Sequence, residues 1–189
     1  MNTNAEIQAI SAIDRLLDEK ERIVVAIDGR CGAGKTTLAV QLQRHYGCTV
    51  IPADQFFIRP EQRTAQRLAI PGENVDHERL LGEVLVPLKR GKSFSYRPFD
   101  CSRMELGHPV AVEPGRVTVV EGSYSCHPEL WDYYDLHIFV SVDLQEQIKR
   151  ILRRNGSYAA VFREKWIPLE ERYFAAFDLE NRCELVLSI

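Results

Sequence analysis

The sequence predicts an α/β fold: a mostly parallel, five-stranded sheet with helices on both faces. Three observations carry that prediction. Short continuous apolar runs alternate with stretches of helical periodicity, a glycine-rich stretch separates the first run from the helix after it, and an acid stands directly behind two of the other runs.

Ile7, Ile10, Ile13, Leu16 and Leu17 recur at helical spacing, so residues 1–20 read as an amphipathic helix with that stripe toward the core. Residues 23–27 form an unbroken apolar run between charge and Asp28-Gly29, as a strand buried on both faces requires. Leu38, Leu42 and His45 then continue at helical spacing, giving the order strand, glycine loop, helix. Residues 50–52 supply a second strand, and Leu80, Leu81, Val84, Leu85 and Leu88 trace a helix that ends near Gly91. The runs 117–120 and 136–140 are two further strands, the latter followed by a helix through Leu144, Ile148, Ile151 and Leu152; residues 185–189 supply the fifth. No internal repeat, linker or low-complexity stretch divides the chain, so residues 1–189 read as one domain.

Composition removes several function classes. Lys plus Arg is 24 against 27 for Asp plus Glu, a net charge of -3 that provides no general field for a nucleic acid. No apolar run reaches the ~18 residues of a membrane span, and the acids among the first 20 residues do not suit a signal peptide. The five cysteines, Cys31, Cys48, Cys101, Cys126 and Cys183, are odd in number and form neither a C-x-x-C pair nor a zinc grouping. Reduced thiols and a cytoplasmic location, with no nucleic-acid or membrane partner, are the expectation.

Gly29-Arg30-Cys31-Gly32-Ala33-Gly34-Lys35-Thr36 matches G-x-x-x-x-G-K-[ST], the phosphate-binding loop. A phosphate chain needs several backbone N–H groups aimed at one spot and the N-terminal end of a helix behind them, and only small residues let the backbone come that close. Gly29, Gly32, Ala33, Gly34, Lys35, Thr36 and Thr37 are therefore the candidate ATP-binding residues. Lys35 would neutralise the β- and γ-phosphates and Thr36 would hold Mg2+. Asp54 and Glu121 stand at the carboxyl ends of strands, where open α/β sheets build their sites. Either carboxylate there can hold magnesium, accept a proton from an attacking hydroxyl, or cap a helix. Arg150, Arg153 and Arg154 share a helix face at i, i+3, i+4, opposite Ile148, Ile151 and Leu152, and could clamp a phosphoryl group or face solvent.

Several motifs together resemble the uridine kinase and phosphoribulokinase group of P-loop kinases, over residues 22–189. Ala53-Asp54-Gln55-Phe56-Phe57 resembles the family's Asp-x-Phe-Tyr segment, which implies that Asp54 is the base and Phe57 borders the substrate. Asn74-Val75-Asp76-His77 resembles its Asp-His element, which implies a sugar contact for Asp76. Val119-Val120-Glu121-Gly122 resembles the Glu-Gly motif, which implies that Glu121 closes the magnesium site. Arg150 and Arg154 match the arginines that open the family's lid, implying a short lid near 150–163. The segment from Tyr96 to Arg103 resembles the one that reads the pyrimidine, so Tyr96, Phe99 and Arg103 are implied substrate contacts, with Phe99 where the family has Tyr. Trp166-Ile167-Pro168 with Tyr173 resembles nicotinamide riboside kinases as well, although both aromatics also suit a core.

The resemblance implies an ATP- and magnesium-dependent kinase that phosphorylates a hydroxyl of a small nucleoside-like acceptor, most like uridine or cytidine. Another ribosyl or small metabolite is the alternative acceptor, and a homo-oligomer is left open. A nucleotide-dependent switch would use the same loop, but the Asn-Lys-x-Asp element of guanine-specific GTPases is absent.

Overall fold

The computed structural model describes residues 3–189. Five strands form the central sheet: β1 (Ile23–Gly29), β2 (Thr49–Pro52), β3 (Val117–Glu121), β4 (Leu136–Ser141) and β5 (Leu185–Ser188). Their order is β2-β3-β1-β4-β5 and every pairing is parallel. The expected fold class is met, with β1 running through Asp28 and Gly29 rather than stopping at Ile27. All five residues of β3 are buried, as are the first five of β4, which explains their unbroken apolar reading.

Helix α1 (Thr3–Glu19) and helix α2 (Lys35–Tyr46) cover one face of the sheet. The expected α1 stripe is met at Ile13, which is buried, and at Ile10, Leu16 and Leu17, which pack against the core; Ala5, Ala9 and Ala12 are buried with them, whereas Ile7 is 64% exposed. Small residues let α1 lie close to α2, where Tyr46 Oη donates to Asp14 Oδ1 at 2.7 Å, and Ile7 sits two positions off the buried alanines. Residues 1 and 2 of the expected helix lie outside those described.

The opposite face is covered by helix α3 (residues 77–89) and helix α5 (Ile167–Phe177), with helix α4 (Leu144–Asn155) beside the glycine loop. Wide, π-type turns lead into Val86-Pro87 in α3 and into Ile167-Pro168 at the start of α5. In each the residue before the proline donates back five positions, Val86 to Leu81 and Ile167 to Phe162. The wider turn accommodates a proline ring that would strike the carbonyl four residues back in a regular helix. Two small hairpins, Phe94–Tyr96 with Val110–Val112 and Phe99–Asp100 with Glu105–Leu106, sit outside the main sheet and escaped the sequence reading. No described helix is long and apolar enough to cross a membrane, and all five cysteines are unbridged.

Candidate active site

Sequence-adjacent strands β1 and β2 are separated in the sheet by β3, and β4 lies on the other side of β1. This reversal of strand order opens a crevice at the carboxyl ends of the strands. The glycine loop crosses it. Gly29 has φ +125°, and a Cβ there would stand 2.1 Å from the Val140 carbonyl oxygen, so no other residue fits beside β4. Gly34 has φ +105°, and a Cβ there would meet only the Ile189 side chain, at 3.9 Å; it borders the cleft at the α2 N-terminus. Lys35 Nζ donates to the carbonyls of Gly29 at 2.6 Å and Arg30 at 3.2 Å, holding the loop in its curve.

A cleft of about 1060 Å³ extends from this loop. Gly32, Gly34, Lys35, Thr36 and Thr37 border one end, joined by Arg150 and Arg154 from α4. Ala33 is fully buried beneath the loop and Gly29 lies at its β4 side, so both shape the cradle from behind. Thr36 Oγ1 donates to Glu121 Oε2 at 3.2 Å. That hydroxyl and carboxylate, with Asp54 close by, form the hard-oxygen set a magnesium ion takes, and the glycine loop fits a phosphate.

Asp54 stands behind β2 in a short 3₁₀ turn, Ala53–Phe56, and does not cap it. Gly122 permits its approach to β3: a Cβ there would come within 3.1 Å of Asp54 Oδ1. Asp54 is open to the water of the cleft but walled by protein on its other sides. This desolvation raises its carboxyl above the usual range, with Lys35 opposing, Glu170 adding to the rise and Arg154 opposing again. Glu121 is raised too, by burial first and then by Asp54, against Lys35 and Thr36.

Arg150 donates to the Gly32 carbonyl at 3.4 Å and is tied to Glu146 at 2.9 Å. Arg154 bonds Asn155 Oδ1 and lies 5.6 Å from the centre of the Phe162 ring. The expected division of this helix is only partly met, because Ile151 packs under Cys31 beside the arginines while Leu152 is 52% exposed.

Beyond Asp54 the cleft is lined by Phe57, Ile58, Leu68, Met104, Trp166 and Leu169, with Arg63 and Asn74 as polar members. Trp166 therefore faces the cleft rather than the core, whereas Tyr173 is fully buried, as a core residue would be.

Four expected substrate contacts lie outside the cleft. Asp76 is 2% exposed and caps α3, accepting the Arg79 N–H at 3.2 Å, with Arg59 and Arg79 flanking its other oxygen at 3.5 and 3.4 Å. A residue at the first position of a helix finds its own backbone donor, which competes with any sugar. Tyr96 is buried against Phe56 and donates to Gln55 Oε1 at 2.8 Å. Phe99 is buried in its hairpin, and Arg103 points to solvent, paired with Glu105.

Sequence reasoning missed Ser123, Lys165 and Glu170, which border the cleft. Only the four-residue spacing of Trp166 and Glu170, which puts them on one helical side, could have signalled them. Asp28, buried and surrounded by donors, is another: it accepts from the N–H groups of Gly29 at 2.7 Å, Tyr124 at 3.2 Å and Cys126 at 2.9 Å, and from Tyr173 Oη at 3.0 Å. Glu73, His77 and His127 cluster apart from the cleft. There His127 Nδ1 accepts the Glu129 N–H, which leaves the proton on Nε2, facing Glu73, where a metal would need a lone pair. Burial, then His77, hold the His127 ring neutral with its pKa at about 3.

Strand order and glycine loop together define the fold of the P-loop kinases. Uridine kinase from Clostridium perfringens is 26% identical over 145 residues, 72% of this chain and 69% of that protein. A Bacillus stearothermophilus structure described as a possible uridine kinase superposes with a TM-score of 0.70 at 20% identity, covering 99% of this chain and 100% of that one. The Saccharomyces cerevisiae protein YFH7, whose description proposes a P-loop containing kinase with a circular permutation, superposes at 0.64 and 10% identity over 97% and 98% of the two chains. No family model matches the chain. The resemblance to uridine kinase-like P-loop kinases is thereby met, and the Clostridium perfringens relative supports a phosphotransferase function.

Proposed function

We propose that the protein transfers the γ-phosphoryl group of ATP to a hydroxyl of a nucleoside-like acceptor, uridine- or cytidine-like by its similarity to uridine kinase. The observation that carries this reading is that one cleft holds Asp54 together with the phosphate loop and a compartment walled by Phe57, Ile58 and Trp166. A flat, partly apolar acceptor suits that compartment, and its hydroxyl would meet Asp54 at the loop end.

Phosphoryl transfer asks little covalent chemistry of a protein, so positioning and charge neutralisation dominate. The N–H groups of Gly32 to Thr37 would cradle the phosphates, while Lys35, Arg150 and Arg154 would share their charge. Thr36 and Glu121 would hold magnesium, which neutralises phosphate charge when bound. Asp54 would take the acceptor proton as the new O–P bond forms and ADP departs. The raised Asp54 carboxyl suits a base, and turnover should fall on acidification at a pH above that of an ordinary aspartate.

Release of ADP from MgATP, followed against a panel of nucleosides, nicotinamide riboside, pantothenate and sugars, tests the assignment. One strong nucleoside acceptor is the expected result. A nucleotide that binds but is consumed with no acceptor would point to a switch instead. Asp54→Asn should lower kcat by about 10²- to 10⁴-fold with ATP affinity nearly unchanged. An effect confined to ATP affinity would make Asp54 a metal or structural residue.

A further inference from the structure

Helix α5 reaches the phosphate loop with three side chains. Tyr173 donates to Asp28, Glu171 pairs with Arg30 Nε at 2.7 Å, and Glu170 accepts the Cys31 N–H at 2.9 Å. The first two serve structure: Tyr173 completes a buried network and Glu171 neutralises a cation. Glu170 does neither. It is 5% exposed and borders the cleft, its other oxygen accepts from Ser123 Oγ at 2.6 Å, and no Lys, Arg or His pairs with it among the described residues. A buried carboxylate held by two neutral donors is costly unless it has a use.

Its place in the cleft indicates that use. Glu170 binds Ser123, the residue after Gly122, and Gly122 packs against Asp54, where a Cβ would stand 3.1 Å from Oδ1; the charge of Glu170 is felt at Asp54. Glu170 therefore stands at the transfer end of the cleft, where the last phosphate of a nucleotide would lie. A fixed negative charge there opposes a third phosphate more than a second, because the two ligands differ by charge at this end alone.

The geometry points to Glu170 as a specificity-determining residue that holds the Cys31 amide in the free protein and weights nucleotide binding against the third phosphate. This rests on the phosphate loop binding ATP as proposed above. Its consequence is a triphosphate complex of raised energy at the end where the phosphoryl group leaves.

Calorimetric titration of MgATP and MgADP into the wild-type protein and Glu170→Gln tests it. The amide keeps one oxygen to accept from Cys31 and turns its NH2 to Ser123 Oγ, which can accept in place of donating, so the charge is the main loss. The ratio of ATP to ADP affinity is expected to rise about tenfold, mostly through tighter ATP, with the ADP Kd moving less than about twofold. Glu170→Asp draws the charge back by one methylene and should raise the ratio about threefold, which serves where thermal melting shows the glutamine variant to be misfolded. An unchanged or lowered ratio in a folded variant overturns the role of Glu170 while leaving the kinase reading intact. Wild-type protein that binds neither nucleotide overturns both.

Discussion

The two ends of the cleft are built in opposite ways. The phosphate end comes from one continuous stretch, residues 29–37, whose curve is dictated by Gly29 and Gly34 at positive φ and closed by Lys35 onto the carbonyls of Gly29 and Arg30. The acceptor end is assembled from separate segments: Phe57 and Ile58, Arg63 to Asn74, Cys101 to Met104, and Trp166 to Glu170. Those segments meet only through distant contacts, such as the bridge between Phe57 and Val75 and the Arg79 guanidinium on the Gln55 carbonyl. A phosphate is bound by backbone, which local sequence controls, whereas an organic acceptor is bound by side chains that only the folded chain brings together.

The largest effect should come from the locally built end. Lys35→Ala removes the cation from the phosphate cradle, and kcat/KM should drop by at least about 10³-fold. The cost to stability should be only about 1–2 kcal/mol, since two loop carbonyls lose a donor but no core volume is emptied. Steady-state kinetics beside thermal melting would show the two effects separately. Turnover within tenfold of the wild type would mean that the loop does not handle the reacting phosphates.

How far the sequence could be read follows the same division. The five strands, the loop, and the acids behind β2 and β3 were legible because each is a local pattern: an apolar run, a glycine spacing, a charge at a strand end. Asp76 was not, because its cap on α3 and its Arg79 and Arg59 neighbours depend on where the preceding loop returns. Tyr96 and Phe99 looked like contacts and are buried, while Trp166 looked like core and lines the cleft. An aromatic residue suits either place equally, and nothing within a few residues decides between them. Glu170 was invisible for the same reason: its partners, Cys31 and Ser123, are 139 and 47 residues away.

A paired substitution at the acceptor end sharpens the contrast at intermediate size. Trp166→Ala should raise the acceptor KM by about tenfold and leave the ATP KM within twofold, because it strips one wall of the acceptor compartment. Phe99→Ala should do the reverse, costing about 3 kcal/mol of stability from a buried aromatic with little change in either KM. A larger acceptor-KM effect from Phe99 than from Trp166 would return base reading to the 96–103 segment and leave Trp166 as packing.

The smallest effect on turnover, and the most informative about the frame joining the two ends, concerns Asp28. Burial, opposed by Lys35 and by hydrogen bonds from Cys126, Gly29 and Tyr173, raises its pKa from 3.8 to about 6. In the unfolded chain the proton leaves near 3.8; in the native protein it stays until about 6. Between those values the native state binds more protons, so this group's contribution to stability falls as the pH rises, by about 3 kcal/mol across the window. Asp28→Asn cannot titrate. It also turns an amide N–H toward donors such as the Cys126 N–H, so the variant should be less stable at pH 7 by about 1–3 kcal/mol. The gap between wild type and variant should widen on going from pH 7 to pH 4, because the wild type gains what the variant cannot. Denaturant unfolding at several pH values measures that gap directly, with every other carboxylate common to both proteins. Parallel profiles would mean that the four donors around Asp28 fully offset its burial, and that the junction of β1, the 124–126 loop and α5 holds an ordinary carboxylate.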